Sequence, residues 1–352
     1  MDNKLIKDIL EMAVYAPSGE NSQPWRFEVK ENIIYQYNIQ DRDNYIYNYR
    51  QRGCYFAHGA VLQNIILLSE SSGYEASIDL FPSSSDTNLV AKISLKESEK
   101  KVSHLCDFIK KRATNRKKYK DITITIAQKE ELKNIANEFE GISLLFVESK
   151  ENKEKLSKVF SNNDRIMLEN KILHDLIFDN ICWTETQEKE NKTGLYVKTM
   201  ELETPQLAIF KLLKTWRIAQ LFKILGMTKF IAKENAKIYA TGTFYLSILV
   251  DDKDSNYVKA GMLVQKLWLT ITKWGLSAHP LAALPYLHDR VKNNDLKSFS
   301  FEHINLINDS YHILENIYKI SDNKNVAMTL RVGDGGEPTA LSSRMKPEII
   351  FN

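Results

Sequence analysis

Four residues recur twice in this chain at one spacing. Gly59, Gln63, Leu67 and Gly73 return as Gly261, Gln265, Leu269 and Gly275, each displaced by 202 positions (59 to 261). Apolar side chains flank both runs at helical intervals: Val61, Leu62, Ile65, Ile66 and Leu68 in the first, Met262, Leu263, Val264, Leu267, Trp268 and Ile271 in the second. The pattern predicts two copies of one long buried helix, each closed by a C-terminal glycine. A chain of 352 residues has room for two such units.

A second feature precedes the first copy. An amphipathic run (Leu5, Ile6, Ile9, Leu10, Ala13, Val14) predicts a short helix, and Ala16-Pro17-Ser18-Gly19-Glu20-Asn21-Ser22-Gln23-Pro24-Trp25 follows it. Two prolines bracket Ser, Gly and Asn, which makes this segment a loop. Trp25–Glu31 and Ile33–Ile39 then alternate as a hairpin turning at Glu31-Asn32. A rigid polar loop between helix and strand can present backbone donors, the Ser18 hydroxyl and the Asn21 and Gln23 amides to a flat heteroaromatic ligand. The plainer reading is a turn anchored by a buried Trp. Tyr35, Tyr37, Tyr45, Tyr47 and Tyr49 read as core and rim packing with no catalytic role.

The third feature is Lys110-Lys111-Arg112-Ala113-Thr114-Asn115-Arg116-Lys117-Lys118-Tyr119-Lys120, seven of whose eleven residues are basic. It reads as a solvated face, a nucleic-acid patch or a phosphate clamp. A single aromatic and no accompanying motif weigh against nucleic acid. Two guanidinium groups with a hydroxyl between them suit a terminal phosphate, because Arg donates in bidentate fashion.

These motifs together resemble the nitroreductase family of FMN-dependent oxidoreductases. Pro17, Ser18, Asn21, Gln23, Pro24 and Trp25 match its Pro-Ser-x-x-Asn-x-Gln-Pro-Trp loop without a gap. Arg112-Ala113-Thr114-Asn115-Arg116 is similar to its phosphate-binding Arg-Arg-Ser-x-Arg, with Thr114 in place of Ser. Ser343-Arg344, followed by Glu348, resembles its C-terminal Ser-Arg signature, whose Arg reaches the same phosphate. The resemblance implies FMN held by Ser18, Asn21, Gln23, Arg112, Thr114, Arg116, Ser343 and Arg344. It also implies a backbone N–H from Leu281, Ala282 or Ala283 near the flavin ring.

The family is typically an intertwined homodimer, so the repeat implies an internally duplicated pseudo-dimer whose halves have each lost part of the site. No arginine precedes Arg26, and the second half holds only Asn180-Ile181-Cys182-Trp183 as a remnant of the loop. The expected fold is α+β: two mixed, mainly antiparallel sheets flanked by helices, with the repeated helices at the centre. The expected halves are 1–108 and 109–352, with 184–235 inserted as a helical lid. Within that insertion Leu207–Ile231 is a basic amphipathic run, which suits a membrane surface or a lid; the resemblance favours the lid. The implied activity is an enzyme passing hydride from NAD(P)H through FMN to a nitro, quinone or other small acceptor. A flavin-storage protein with little turnover, and a tailoring dehydrogenase on a peptide or small metabolite, are the alternatives. No acid/base side chain stands out, and the acceptor and any further homodimerisation stay open.

The remaining chain predicts strands at Glu75–Phe81, Leu89–Leu95, Ile142–Val147, Ala236–Val250 and Val326–Val332. It predicts a helix at Ala127–Phe139 capped by Thr125 and surface helices within Lys150–Asn180, and the resemblance places a loop at Leu276–Pro285. Gly333-Asp334-Gly335-Gly336 lacks the helix that a dinucleotide turn requires. A net charge of +3 argues neither for nucleic acid nor for a membrane. Three scattered cysteines and no His-Glu-x-x-His spacing fit free thiols in a cytoplasmic protein and no metal. His279, beside Pro280, reads as structural in preference to substrate-binding, and no apolar run is long enough to span a membrane.

Overall fold

The computed structural model describes residues 2–43, 46–321 and 323–352; Tyr45 of the aromatic series lies outside them. The first part of the chain forms α1 (Asn3–Ala13), β1 (Trp25–Lys30), β2 (Ile33–Asn38), α2 (Arg52–Ser71), β3 (Tyr74–Leu80) and β4 (Leu89–Glu97). Next come α3 (Ile126–Asn137) and β5 (Ile142–Val147), then an excursion of α4 (Lys150–Glu169), α5 (Lys171–Asp179), β6 (Ile181–Cys182), α6 (Glu185–Asn191), β7 (Leu195–Tyr196), α7 (Thr204–Leu213), α8 (Trp216–Ile224) and α9 (Met227–Tyr239). The chain returns through β8 (Phe244–Asp251), α10 (Asp254–Lys273), β9 (Ser277–Leu281), α11 (Ala283–Lys292), α12 (Phe301–Tyr318), β10 (Lys324–Gly333) and β11 (Ile349–Phe351).

The result is an α+β fold on two principal sheets. One runs β11-β1-β2-β4-β3, antiparallel except for the parallel β1–β11 pair; the other runs β5-β8-β10-β9, antiparallel throughout. Set β11 aside and number the strands within each sheet: both read first, second, fourth, third, with the long helix between second and third. The turn joining β1 to β2 is two residues, Glu31-Asn32, whereas β5 reaches β8 only after the whole α4–α9 excursion.

The two long helices cross at their first repeated glycines, and the crossing is reciprocal. A Cβ on Gly59 would lie 1.8 Å from the Val258 carbonyl oxygen, and one on Gly261 would lie 1.9 Å from that of Phe56. Both partners sit three residues before the opposite glycine, as a two-fold axis through the crossing requires. Only glycine lets two helix backbones approach this closely. The other repeated positions serve the same contact. Gln265 Nε2 donates to Asn64 Oδ1 at 2.8 Å, Leu67 and Leu269 share an apolar cluster with Ile109, and Gly73 and Gly275 close their helices at φ 86° and 74°.

One apolar core runs from Ile6 and Phe27 through both long helices to Phe244 and Leu330, so the sheets share it. Buried Arg52 adds a polar tie, pairing with Asp252 and, at 2.5 Å, with Asp289 of α11.

Three expected elements differ. Ala236–Tyr239 finish α9, and the strand starts only at Phe244, because Thr241 and Gly242 turn the chain after the helix. Leu276–Pro285 is a buried strand followed by a helix, since Ala278 and Leu281 enter the core while β9 pairs with β10. The helices of 150–179 are not superficial: Leu156, Val159, Phe160, Ile166 and Leu173 are buried in a second core behind β5 and β8.

Candidate functional site

A cavity of about 390 Å³ opens where four distant segments meet. Its lining includes Pro17–Asn21 from the first loop and Lys110, Arg112–Thr114 and Arg116 from the basic stretch. Pro280 comes from the end of β9, Ala282 and Ala283 from the start of α11, and Ala340–Ser342 with Arg344 from the C-terminal arm. Phe56, Ala57 and Trp268 of the crossed helices form part of the wall. The size falls within the range usual for small-molecule sites.

Each segment has a local reason for its place. Ser18 Oγ accepts from the Gln23 N–H at 3.0 Å, and Glu20, Asn21 and Gln23 take left-handed conformations at φ 46°, 58° and 52°. Such backbone persists only where its surroundings hold it. Here Asn21 Nδ2 donates to the carbonyls of Lys192 and Ser343, at 3.0 and 3.1 Å. Gln23 Nε2 donates to Lys192 at 2.7 Å, while its Oε1 accepts from the Met345 N–H at 2.9 Å. The basic stretch runs beside β9: Thr114 bridges to Ala278 in parallel, and the Asn115 N–H donates to the Ala278 carbonyl at 3.0 Å. Pairing of β11 with β1 brings the C-terminal arm, and with it Arg344, across to the first sheet.

The electrostatics are lopsided. Arg112 is buried over the Trp268 ring at 4.4 Å and donates to the Tyr15 carbonyl at 3.1 Å. Half-buried Arg344 donates to the carbonyls of Ser342 and Ser343, both at 3.1 Å, and half-buried Arg116 to that of Thr199 at 2.8 Å. Among the described residues all three guanidinium groups have only main-chain carbonyls as hydrogen-bond partners. Burial pulls Arg112 down to about 9, with repulsion from Arg344 adding to it, and Arg344 down to about 10. Burial also lowers Arg116, against the distant pull of Tyr239, Tyr119, Glu201 and Asp164. The Nε atoms of Arg112 and Arg344, and Asn21 Oδ1, are buried without a partner. Crowded cations with unused donors suit an anion. Also in the lining, α11 begins at Ala283 with no side-chain cap, so its first backbone donors are left without one.

Of the residues expected to touch a cofactor, Ser18, Asn21, Arg112, Thr114, Arg116, Ala282, Ala283 and Arg344 line this cavity. Gln23, Leu281 and Ser343 lie behind the lining. Gln23 ties the loop to the insertion and the arm, Leu281 is buried in the second core, and Ser343 donates through N and Oγ to the Glu188 carboxylate. His279 is buried and edge-on to Tyr239; burial, reinforced by Arg331 and Arg116, drives it well below its ordinary value. No group of three or more metal-ligating side chains is assembled among the described residues.

Several lining residues carried no sequence signal. Leu195 lies on β7 and Thr199 just after it, Tyr47 and Asn163 face each other through a 3.1 Å hydrogen bond, and Met167 and Tyr286 also line the wall. Lys192 and Thr199 act through main-chain carbonyls, which any residue type supplies. Trp268 alone was discernible, as the large aromatic on the second repeated helix.

No protein-family model matches the chain. Among curated proteins, "Uncharacterized protein MT1398" of Mycobacterium tuberculosis is 21% identical over 288 residues, covering 81% of this chain and 40% of its own length. "Putative NAD(P)H nitroreductase acg" of the same species is 28% identical over 95 residues, covering 27% of this chain and 29% of its own length. The matches thus span well under half of these relatives. Among solved structures, an FMN-dependent nitroreductase from Clostridium difficile aligns with a TM-score of 0.36 at 11% identity, over 68% of this chain and 90% of that one. Nitroreductases thus figure among both its sequence relatives and its structural neighbours.

Proposed function

We propose that this chain is an FMN-dependent NAD(P)H oxidoreductase of nitroreductase type. It is built as two diverged copies of one unit, residues 1–108 and 109–352. The identical strand orders and the reciprocal glycine crossing support duplication. Bound FMN would supply hydride acceptance from NAD(P)H and electron donation to a nitro, quinone or other small acceptor.

The observation that carries this reading is a set of three arginines, none with a carboxylate hydrogen-bond partner among the described residues, lining the same cavity as the polar loop of Pro17–Asn21. Arg112, Arg116 and Arg344 would hold the phosphate. Ser18 and Asn21 would face the heterocycle, with the Asn21 Oδ1 as an unused acceptor. The uncapped start of α11 at Ala282 and Ala283 offers N–H donors and the positive end of a helix dipole, which favours negative charge beside it.

The insertion 184–235 would act as the lid. Lys192, Thr199 and Glu188 fasten it to Asn21, Gln23, Arg116 and Ser343. Those fastenings also favour the second reading, a flavin-storage protein with slow exchange.

Absorbance of the purified protein, followed by stopped-flow mixing with NADH or NADPH, tests both readings. Fast bleaching of a yellow protein is expected for the enzyme; a yellow protein that neither bleaches nor exchanges its flavin points to storage. The paired substitution Arg112→Ala with Arg116→Ala is expected to abolish flavin retention, and full retention by that variant refutes the clamp.

A further inference from the structure

The face of the insertion turned away from the cavity is both apolar and cationic. Of the sixteen large hydrophobic side chains exposed on the described residues, seven fall between positions 209 and 230. Ile224 is 80% exposed, Leu225 65%, Phe230 55% and Leu221 52%. Isolated exposed leucines are ordinary on a protein surface, but such a concentration on three consecutive helices is not.

Their neighbours along the chain are mostly cationic, and of these lysines Lys223 faces Glu169 and Glu302 and Lys237 pairs with Glu234. Between Leu207 and Lys237 the chain has seven Lys or Arg and a single acid, Glu234. On α8, Arg217, Leu221 and Ile224 fall at helical intervals on one exposed face. On α9, Thr228, Ala232 and Ala236 are buried, and Lys229, Lys233 and Lys237 lie one position further round, all exposed. Phe230 then projects away from the buried stripe. These helices do not lack a core: Leu207, Phe210, Trp216, Phe222 and Ile231 pack inward. The outward residues are a second apolar set.

We infer that α7–α9 form a docking surface for an anionic lipid bilayer, with Leu221, Ile224, Leu225 and Phe230 entering the headgroup–acyl boundary and the flanking lysines and Arg217 meeting lipid phosphates. Charge complementarity selects this occupant. A second copy of the chain, joined about a two-fold axis, would set one cationic face against another. Interfacial helices that pair a basic face with exposed Leu and Phe bind by apolar burial together with attraction to anionic lipid. No helix among the described residues is long and apolar enough to cross a membrane, so the contact is superficial. The surface belongs to the same insertion whose inner residues, Leu195 and Thr199, line the cavity. The inference does not depend on what the cavity holds.

Co-sedimentation of the full chain with vesicles tests it. Vesicles of phosphatidylcholine alone are compared with equal parts phosphatidylcholine and phosphatidylglycerol, at low and high salt. At least about tenfold stronger partitioning onto the anionic vesicles, falling with salt, is expected. Lys229→Glu with Lys233→Glu is expected to weaken it about tenfold or more, and Ile224→Ser with Phe230→Ser to remove what salt leaves behind. All four positions are exposed, so an unchanged melting temperature confirms that the variants fold. Equal binding to both vesicle types overturns the inference. So does a concentration-dependent dimer in sedimentation that Ile224→Ser with Phe230→Ser dissolves while the wild type ignores vesicles.

Discussion

Replacing Gly59 with alanine tests the helix crossing on which the whole chain is arranged. The new Cβ would stand 1.8 Å from the Val258 carbonyl oxygen, 2.8 Å from its carbon and 2.9 Å from the Met262 nitrogen. All three are backbone atoms of α10, so no side chain can rotate away. Real Cβ contacts stay beyond 3.0 Å, so the helices must part by at least 1.2 Å (3.0 − 1.8) at the centre of the shared core. Overpacking a core by one methyl ordinarily costs about 1–3 kcal/mol, and a rigid backbone contact belongs at or above the upper end. We expect a loss of about 3 kcal/mol or more. At roughly 2 °C per kcal/mol for a chain of this size, melting falls by ~6 °C or more. Gly261→Ala meets the Phe56 carbonyl at 1.9 Å and should cost nearly the same. The sharper test is the double variant. Once one methyl has parted the helices, the second finds the space already open. The paired substitution should therefore cost markedly less than the sum of the singles, beyond the ~0.5 kcal/mol within which independent sites add. Urea unfolding of the two singles and the double, with circular dichroism, measures all three. Gly59→Ala within about 0.5 kcal/mol of wild type, or strict additivity, would refute the backbone-to-backbone crossing.

Other outcomes follow from the site. In flavin-free protein Arg112→Met should be neutral or stabilising, by up to about 3 kcal/mol, because it removes a buried cation that Arg344 repels; the same variant should lose flavin affinity. Calorimetry with and without FMN separates the two effects, and a destabilised flavin-free variant would count against an anion-binding role. Glu188→Ala frees Ser343 and should speed flavin exchange about tenfold, read as the rate at which apoflavodoxin captures released flavin. His58 is held neutral by burial down to about 3, against 6.5 ordinarily, between Gln36 and Asn38. The unfolded chain takes up its proton first, so stability should fall as pH drops from about 6.5 towards 3, at up to about 1.4 kcal/mol per pH unit. In His58→Gln that slope should be shallower by this amount in chemical denaturation across the same range.

Where the fold was legible in the sequence, backbone geometry dictates residue type. The Gly59 and Gly261 spacing marked the two central helices because only glycine fits their crossing, and alternation marked β1 and β2 to within a residue or so. The loop of residues 16–25 and the arginines at 112, 116 and 344 could be read from their residue types and spacing, and the structure brings residues of both to one cavity. What stayed hidden works through the main chain or lacks periodicity of its own. Lys192 and Thr199 contribute carbonyls, α11 contributes an uncapped end, and α12 lies in a stretch without motifs. Strand β9 stayed hidden because Pro280 lies within it, and a proline signals a break more loudly than Ala278 and Leu281 signal burial.

The parallel pairing of β11 with β1 bears on how the molecule comes into being. Asn21 and Ser343 hydrogen-bond although they lie 322 positions apart, and Arg344 reaches the cavity only once that closing strand has docked. During synthesis the amino-terminal loop emerges early and must wait for its counterpart. Cofactor uptake would then report completion of the entire tertiary structure, and a truncated or stalled polypeptide would announce itself by remaining colourless.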